Sequence, residues 1–188
     1  MFKIIVGGDS AGGNLASALF LHLAKPHADI APVELRAPLR GALLISPWVS
    51  FNLSYRSILE NEETDYITIR GLQKAIANLI PPGKKPDAYS DPLSAPLEWW
   101  ASVRKTVVQH FFIWAGEAEV IRDGIVDFAA TLKEASGEDP VDGSVQFVVT
   151  PNEAHEQMIV DPHLNLGSKT VGGSEVEKWL AKMLTTKI

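Results

Sequence analysis

The chain reads as an α/β domain, a mostly parallel sheet of about four strands flanked by helices, with a helical excursion between the second and third strands. Three observations predict this. Short apolar runs alternate with segments of helical periodicity, the rhythm of strand–helix–strand units. The run Gly41-Ala42-Leu43-Leu44-Ile45 is apolar without alternation, as a parallel strand buried on both faces is. The first run, Phe2-Lys3-Ile4-Ile5-Val6, feeds a tight glycine turn that opens directly into a helix.

The elements follow in order. Phe2 to Val6 is the first strand. The helix from Gly13 to Lys25 is apolar nearly all round (Leu15, Ala16, Leu19, Phe20, Leu23), which predicts a buried helix, and Pro26 stops it. His22 and His27 near its end read as a polar rim or dipole partners. Ala28 to Pro38 is a proline-rich connector, and Gly41–Ile45 the second strand. Ser46-Pro47-Trp48 leaves that strand at the end where α/β sites lie, and Ser46 reads as a strand-end hydrogen-bonding residue.

Residues 51–104 break the rhythm and read as a cap-like excursion over the sheet within a single domain, 1–188. Inside it Thr68 caps a helix with apolar Ile69, Leu72, Ile76, Leu79 and Ile80, ended by Pro81-Pro82-Gly83. The acidic run Glu60 to Glu63 with Asp65 reads as a solvated face, and Trp99-Trp100 closes a proline-rich passage. Val107 to Trp114 is the third strand, with Ala115-Gly116 beginning the next loop. A helix carrying Ile121, Ile125, Phe128 and Leu132 runs to Gly137, and Val145–Val149 is the fourth strand. Ser174 and Glu177 form a capping box for a last helix with inner face Val176, Leu180, Met183 and Leu184.

Composition bounds the function. The 188 residues are 46% hydrophobic and 21% charged, an ordinary globular balance able to bury a core. A net charge of −6 without any stripe of Lys and Arg argues against nucleic acid. With no cysteine, neither a disulfide frame nor a thiolate metal site can form, and nothing calls for a cofactor or a metal. No apolar stretch reaches the ~20 residues of a membrane span. No signal peptide is visible either, so a cytoplasmic location is expected. Met1 stands directly against a core strand, which suggests a fragment, a truncated product or a second chain supplied elsewhere.

Gly8-Asp9-Ser10-Ala11-Gly12 fits the G-x-S-x-G nucleophile elbow, in which Ser sits on a strained strand-to-helix turn. Strand before and helix after supply the required context. Gly8, Gly12 and Gly13 keep the turn free of Cβ collisions, and the helix N-terminus with the Ala11 N–H points where an oxyanion would develop.

Gly8-Asp9-Ser10-Ala11-Gly12-Gly13-Asn14 resembles the elbow of the hormone-sensitive-lipase-like family of α/β-hydrolase esterases. The resemblance continues through Ser46-Pro47-Trp48, Asp91-Pro92-Leu93-Ser94-Ala95-Pro96 and Gly116 to Asp123, and closes at His155. It implies a Ser-acid-His triad, carboxylester hydrolysis of a small-molecule ester and a larger sheet, of which this chain carries the C-terminal part. The family's His-Gly-Gly loop, which supplies oxyanion N–H groups upstream of the elbow, is absent from this chain, so activity is expected to be impaired.

In that frame Ser10 is the nucleophile and His155, just past the fourth strand, the base, ahead of His163 and of His110 inside a strand. Aligning the family's Asp-Pro-Leu-Arg-Asp on Glu119-Val120-Ile121-Arg122-Asp123 puts Glu119 on the triad acid, with Glu117 and Asp123 as runners-up. For Asp123 a helix N-terminal role is the plainer one. The elbow strand, expected at a sheet edge, invites self-association or a partner segment along Phe2 to Val6. An alternative is a degenerate relative that binds, or catalyses a non-hydrolytic step, on the same fold.

Overall fold

The computed structural model describes residues 4–137, 144–164, 166 and 170–185. Phe2 and Lys3, placed in the first strand by the sequence reading, and Met1 lie outside them. Four strands, β1 Ile5–Asp9, β2 Gly41–Ile45, β3 Phe111–Gly116 and β4 Val145–Thr150, pair in parallel in the order β1-β2-β3-β4. Around them stand α1 Ser10–Ala24, α2 Arg56–Glu60, α3 Ile69–Leu79, α4 Leu97–Thr106, α5 Arg122–Glu134, α6 Gln157–Leu164 and α7 Val171–Thr185. β1 and β4 form the two edges of this sheet.

Strand alternation sorts the core into two layers. Ala42, Leu44, Phe111, Ile113 and Ala115 face the larger cluster, with Phe20 of α1, Trp100 and Val103 of α4, and Ile125, Phe128 and Leu132 of α5. Phe112 and Trp114 face the other way onto Met158, Val176, Trp179 and Met183. Every residue of β3 is buried, as a central parallel strand requires. Because all four strands run the same way, their carboxyl ends share one rim of the sheet.

Several expectations are met in detail. β2 spans the residues assigned to it, the Thr68 side chain accepts the Gly71 N–H to cap α3, and Gly137, at φ +68°, turns the chain after α5. Others are corrected. The third strand begins at Phe111, not Val107, because Val107 and Val108 bond back to Val103 and close α4, and it runs on through Ala115 and Gly116. Ser174 lies inside α7 rather than at its cap; the cap is Thr170, whose Oγ1 accepts the Gly173 N–H. The inner face of α7 is Val176, Trp179 and Met183 with Leu180 partly buried against them, while Leu184 is exposed. α1 is buried on one side only: Leu15 and Leu19 are 72% and 40% exposed and line an open apolar hollow with Ile30 and Leu79. Asp65 is not solvated but buried, accepting the N–H groups of Val120 and Ile67.

Candidate active site

The loop at the end of β1 is shaped by glycine. A Cβ on Gly8 would strike the Gly12 carbonyl of α1, and one on Gly13 would come within 2.6 Å of the Pro47 side chain. Gly12 is less constrained, since a Cβ there would meet only the Asp9 side chain, at 3.3 Å. The close approach lets the chain turn from strand to helix within one residue, and Ser10 takes that turn at φ +45°. Asn14 locks the start of α1, its Nδ2 donating to the carbonyls of Trp48 and Ser90 at 2.9 Å each.

The rim of the sheet then gathers the candidate residues. Ser10 follows β1, Ser46 follows β2, Glu119 stands in the loop after β3 and His155 in the loop after β4. The Ser10 hydroxyl lies 2.9 Å from His155 Nε2, and His155 Nδ1 lies 2.8 Å from Glu119 Oε2. A carboxylate only accepts, so Nδ1 carries the proton toward Glu119 and Nε2 accepts from Ser10. His155 is 2% exposed and Glu119 wholly buried, whereas Ser10 is half-buried at the surface of the site. Among the three acids considered, Glu119 is thus the one on the imidazole. Asp123 sits in the first turn of α5, accepting the Ser57 N–H and pairing with Arg122, and Glu117 accepts the Asn152 N–H. His163 lies in α6 with its Nδ1 on the Ile159 carbonyl. His110, just before β3, has a buried Nδ1 without a hydrogen-bond partner.

The surroundings of Glu119 were not anticipated in full. Its Oε1 accepts the Gly116 N–H at 2.7 Å and the Ser46 hydroxyl at 3.3 Å. Its loop is braced from the excursion: Asn61 Nδ2 donates to the Glu119 carbonyl, Ser57 Oγ to the Val120 carbonyl, and Asp65 accepts the Val120 N–H. Burial pushes the Glu119 carboxyl above its ordinary value, while His155, Gly116 and Ser46 pull the other way. Burial acts to lower the His155 imidazole, but the hydrogen bond and charge of Glu119 outweigh it, with Glu156 and Asp65 adding to them, and the net direction is up.

Glu156 and Tyr66 were also missed. Glu156 sits at φ +52°, with Oε1 3.9 Å from His155 Nε2 and Oε2 accepting the Tyr66 hydroxyl at 3.3 Å. The Tyr66 ring meets the His155 ring edge-on, centroids 5.7 Å apart. Burial first, then Glu156, push the Tyr66 phenol well above its usual range, so it stays a donor. Only the position of Glu156 beside His155 could have signalled it.

A strained serine at a strand-to-helix turn, hydrogen-bonded to a histidine that is hydrogen-bonded to an acid, in the chain order Ser, acid, His, is the α/β-hydrolase arrangement. A family model described as alpha/beta hydrolase fold matches residues 1–159. The chain belongs to this family. It is 34% identical over 134 residues to an esterase of Acinetobacter venetianus, an alignment covering 70% of this chain and 39% of that protein. Among solved structures it resembles a hormone-sensitive lipase from a metagenome library (19% identical, TM-score 0.68, covering 96% of this chain and 54% of that one). It also resembles carboxyl esterase 2 of the fungus Tuber melanosporum (18%, TM-score 0.70, 95% and 52%). A third is a fungal esterase structure from Rhizomucor miehei (24%, TM-score 0.70, 96% and 50%). The structural likenesses speak for the fold. The chain spans about half the length of these solved structures and 39% of the bacterial esterase. Among the described residues no helix is long and apolar enough to cross a membrane, and no cluster of three metal-ligating side chains is present.

Proposed function

We propose that this α/β-hydrolase is a carboxylester hydrolase working through an acyl-enzyme on Ser10. The observation that carries the reading is the hydrogen-bonded chain Ser10–His155–Glu119, at 2.9 and 2.8 Å. Ser10 Oγ attacks the ester carbonyl carbon and its proton passes to His155 Nε2. Glu119 holds the imidazole in the required tautomer and stabilises the imidazolium. The carbonyl oxygen, now an oxyanion, lies near the Ala11 N–H and the positive end of α1. When the tetrahedral intermediate collapses, the C–O bond to the alcohol breaks and Nε2 returns the proton to the departing oxygen. Water then repeats the sequence on the acyl-serine, releasing the acid and restoring Ser10.

A fluorophosphonate probe tests the nucleophile. The intact mass should rise by one adduct located on Ser10, and the Ser10→Ala protein should stay unlabelled while unfolding cooperatively. Labelling without ester turnover would instead favour the non-hydrolytic relative.

A further inference from the structure

The carboxylate of Glu156 is not part of the Ser10–His155–Glu119 chain, yet it is held at the open side of the imidazole. Its backbone is fixed twice: the Glu156 N–H donates to Ser46 Oγ at 3.1 Å, and its carbonyl accepts from Ile159 and Val160 at the start of α6. Between these anchors the residue occupies the left-handed region at φ +52°, which costs a non-glycine residue free energy and persists where the surroundings enforce it. The side chain is held as well. Tyr66 donates to Oε2, the side chain is only 16% exposed, and Oε1 is left 3.9 Å from His155 Nε2.

Nε2 is the atom that returns the proton to the departing alcohol. The alcohol portion of an ester must therefore reach Nε2 beside Glu156 Oε1. The nearby charges have the same sign: Asp65 is buried in the adjoining loop and also acts on His155, and the chain carries a net −6. Among the described residues the Glu156 carboxylate contacts His155 and Tyr66, and no Lys or Arg pairs with it.

We propose that Glu156, held by Tyr66, is a specificity-determining residue that makes the site select esters by the charge of their alcohol portion. Cationic alcohols of the amino-alcohol or quaternary-ammonium class are favoured, and anionic ones rejected. This rests on the Ser10 hydrolase reading. A full charge a few ångströms from a partly screened carboxylate changes a rate by about tenfold or more in either direction.

The test uses three butyrate esters with alcohols of similar shape: choline, 3,3-dimethylbutanol as its uncharged isostere, and an anionic sulfonate alcohol. With the full chain, kcat/KM should rank cationic, neutral, anionic. In Glu156→Gln the cationic-to-anionic ratio should fall by about tenfold, with an intermediate fall in Tyr66→Phe, where the carboxylate loses its anchor. Raising the salt concentration should compress the wild-type ratio more than that of Glu156→Gln. An unchanged ratio in an active, cooperatively folded Glu156→Gln protein overturns the proposal and leaves the hydrolase reading standing. If none of the three esters is turned over, the comparison is made on Ser10 phosphonylation by methylphosphonate thioesters with cationic or neutral leaving groups. The same change of ratio supports the proposal there. A Ser10 that reacts with neither reagent overturns the hydrolase reading and this inference with it.

Discussion

The Ser46 hydroxyl donates to Glu119 Oε1 at 3.3 Å. Ser46 Oγ also accepts the Glu156 N–H, so one wholly buried side chain after β2 joins the acid loop to the histidine loop. Ser46 takes φ +44°, a second strained serine on the rim beside Ser10. It acts through Glu119 and is a positioning residue. Ser46→Ala leaves a buried N–H and a carboxylate oxygen short of partners, at about 1–3 kcal/mol of stability. It should lower kcat with little change in KM. It should also raise the Glu119 carboxyl further, because one hydrogen bond favouring the charged form is gone. Thermal unfolding and a pH profile of kcat together check this; a loss of stability with an unaltered pH profile would reduce Ser46 to a packing role.

The ranking of the acids is a second prediction. Glu119→Gln should lower kcat by about 10⁴, because an amide presents the wrong partner to Nδ1–H and spoils the tautomer. Asp123→Asn weakens the first turn of α5, its contact with Ser57 and its pairing with Arg122, and Glu117→Gln a loop bond, none of them on the imidazole. Each should cost far less. The opposite ranking would move the acid to Asp123.

The pH dependence follows from the direction of the His155 shift. In the proposed mechanism His155 must be neutral to take the Ser10 proton, and its carboxylate neighbours raise it above the ordinary ~6.5. kcat/KM should therefore be low in acid and climb with pH, reaching half its plateau above ~6.5. Removing the Glu156 charge removes one of the raising influences, so Glu156→Gln should move this limb to lower pH, with the Glu119 and Asp65 charges still in place. A wild-type limb below the ordinary imidazole value would contradict the burial and charge balance described for the pair.

The edge of the sheet carries a fourth prediction. β1 is an edge strand, and Ile4, immediately before it, is exposed. At ~25 cal/mol per Å², covering a few hundred Å² is worth several kcal/mol before entropic costs. We expect the 188-residue chain to self-associate or to take a partner along this edge. Sedimentation over a concentration range is the check. A compact monomer at high micromolar concentration, unfolding cooperatively, would contradict it.

Much of this was legible in the sequence, for local reasons. The strand-to-helix turn is written in Gly8, Ser10 and Gly13, where no larger residue fits at the two glycines, and the four parallel strands are written in the rhythm of apolar runs. His155 could be singled out by its place just past the fourth strand, whereas Glu119 came from the resemblance of its loop to the family's, with Glu117 and Asp123 left as runners-up. The rest depended on tertiary contact. Val107 and Val108 look like strand residues, and only their bonds to Val103 make them a helix end. Asp65 sits in an acidic run that reads as solvated until the Val120 N–H is brought to it from 55 residues away. α1 is apolar nearly all round, yet which of its faces the core covers is decided by β1, β2 and α4, not by α1. The roles of Ser46 and Glu156 exist only once two loops distant in the chain share one hydroxyl.

In the proposed mechanism Ser10 and His155 act as one unit. The most direct measurement is hydrolysis of a short-chain aryl ester by the wild type, by Ser10→Ala, by His155→Ala and by the double variant, each checked for cooperative unfolding. Groups that act together are strongly non-additive, so each single variant should be about as inactive as the double. Wild-type turnover in Ser10→Ala, or losses that multiply in the double variant, would contradict the account.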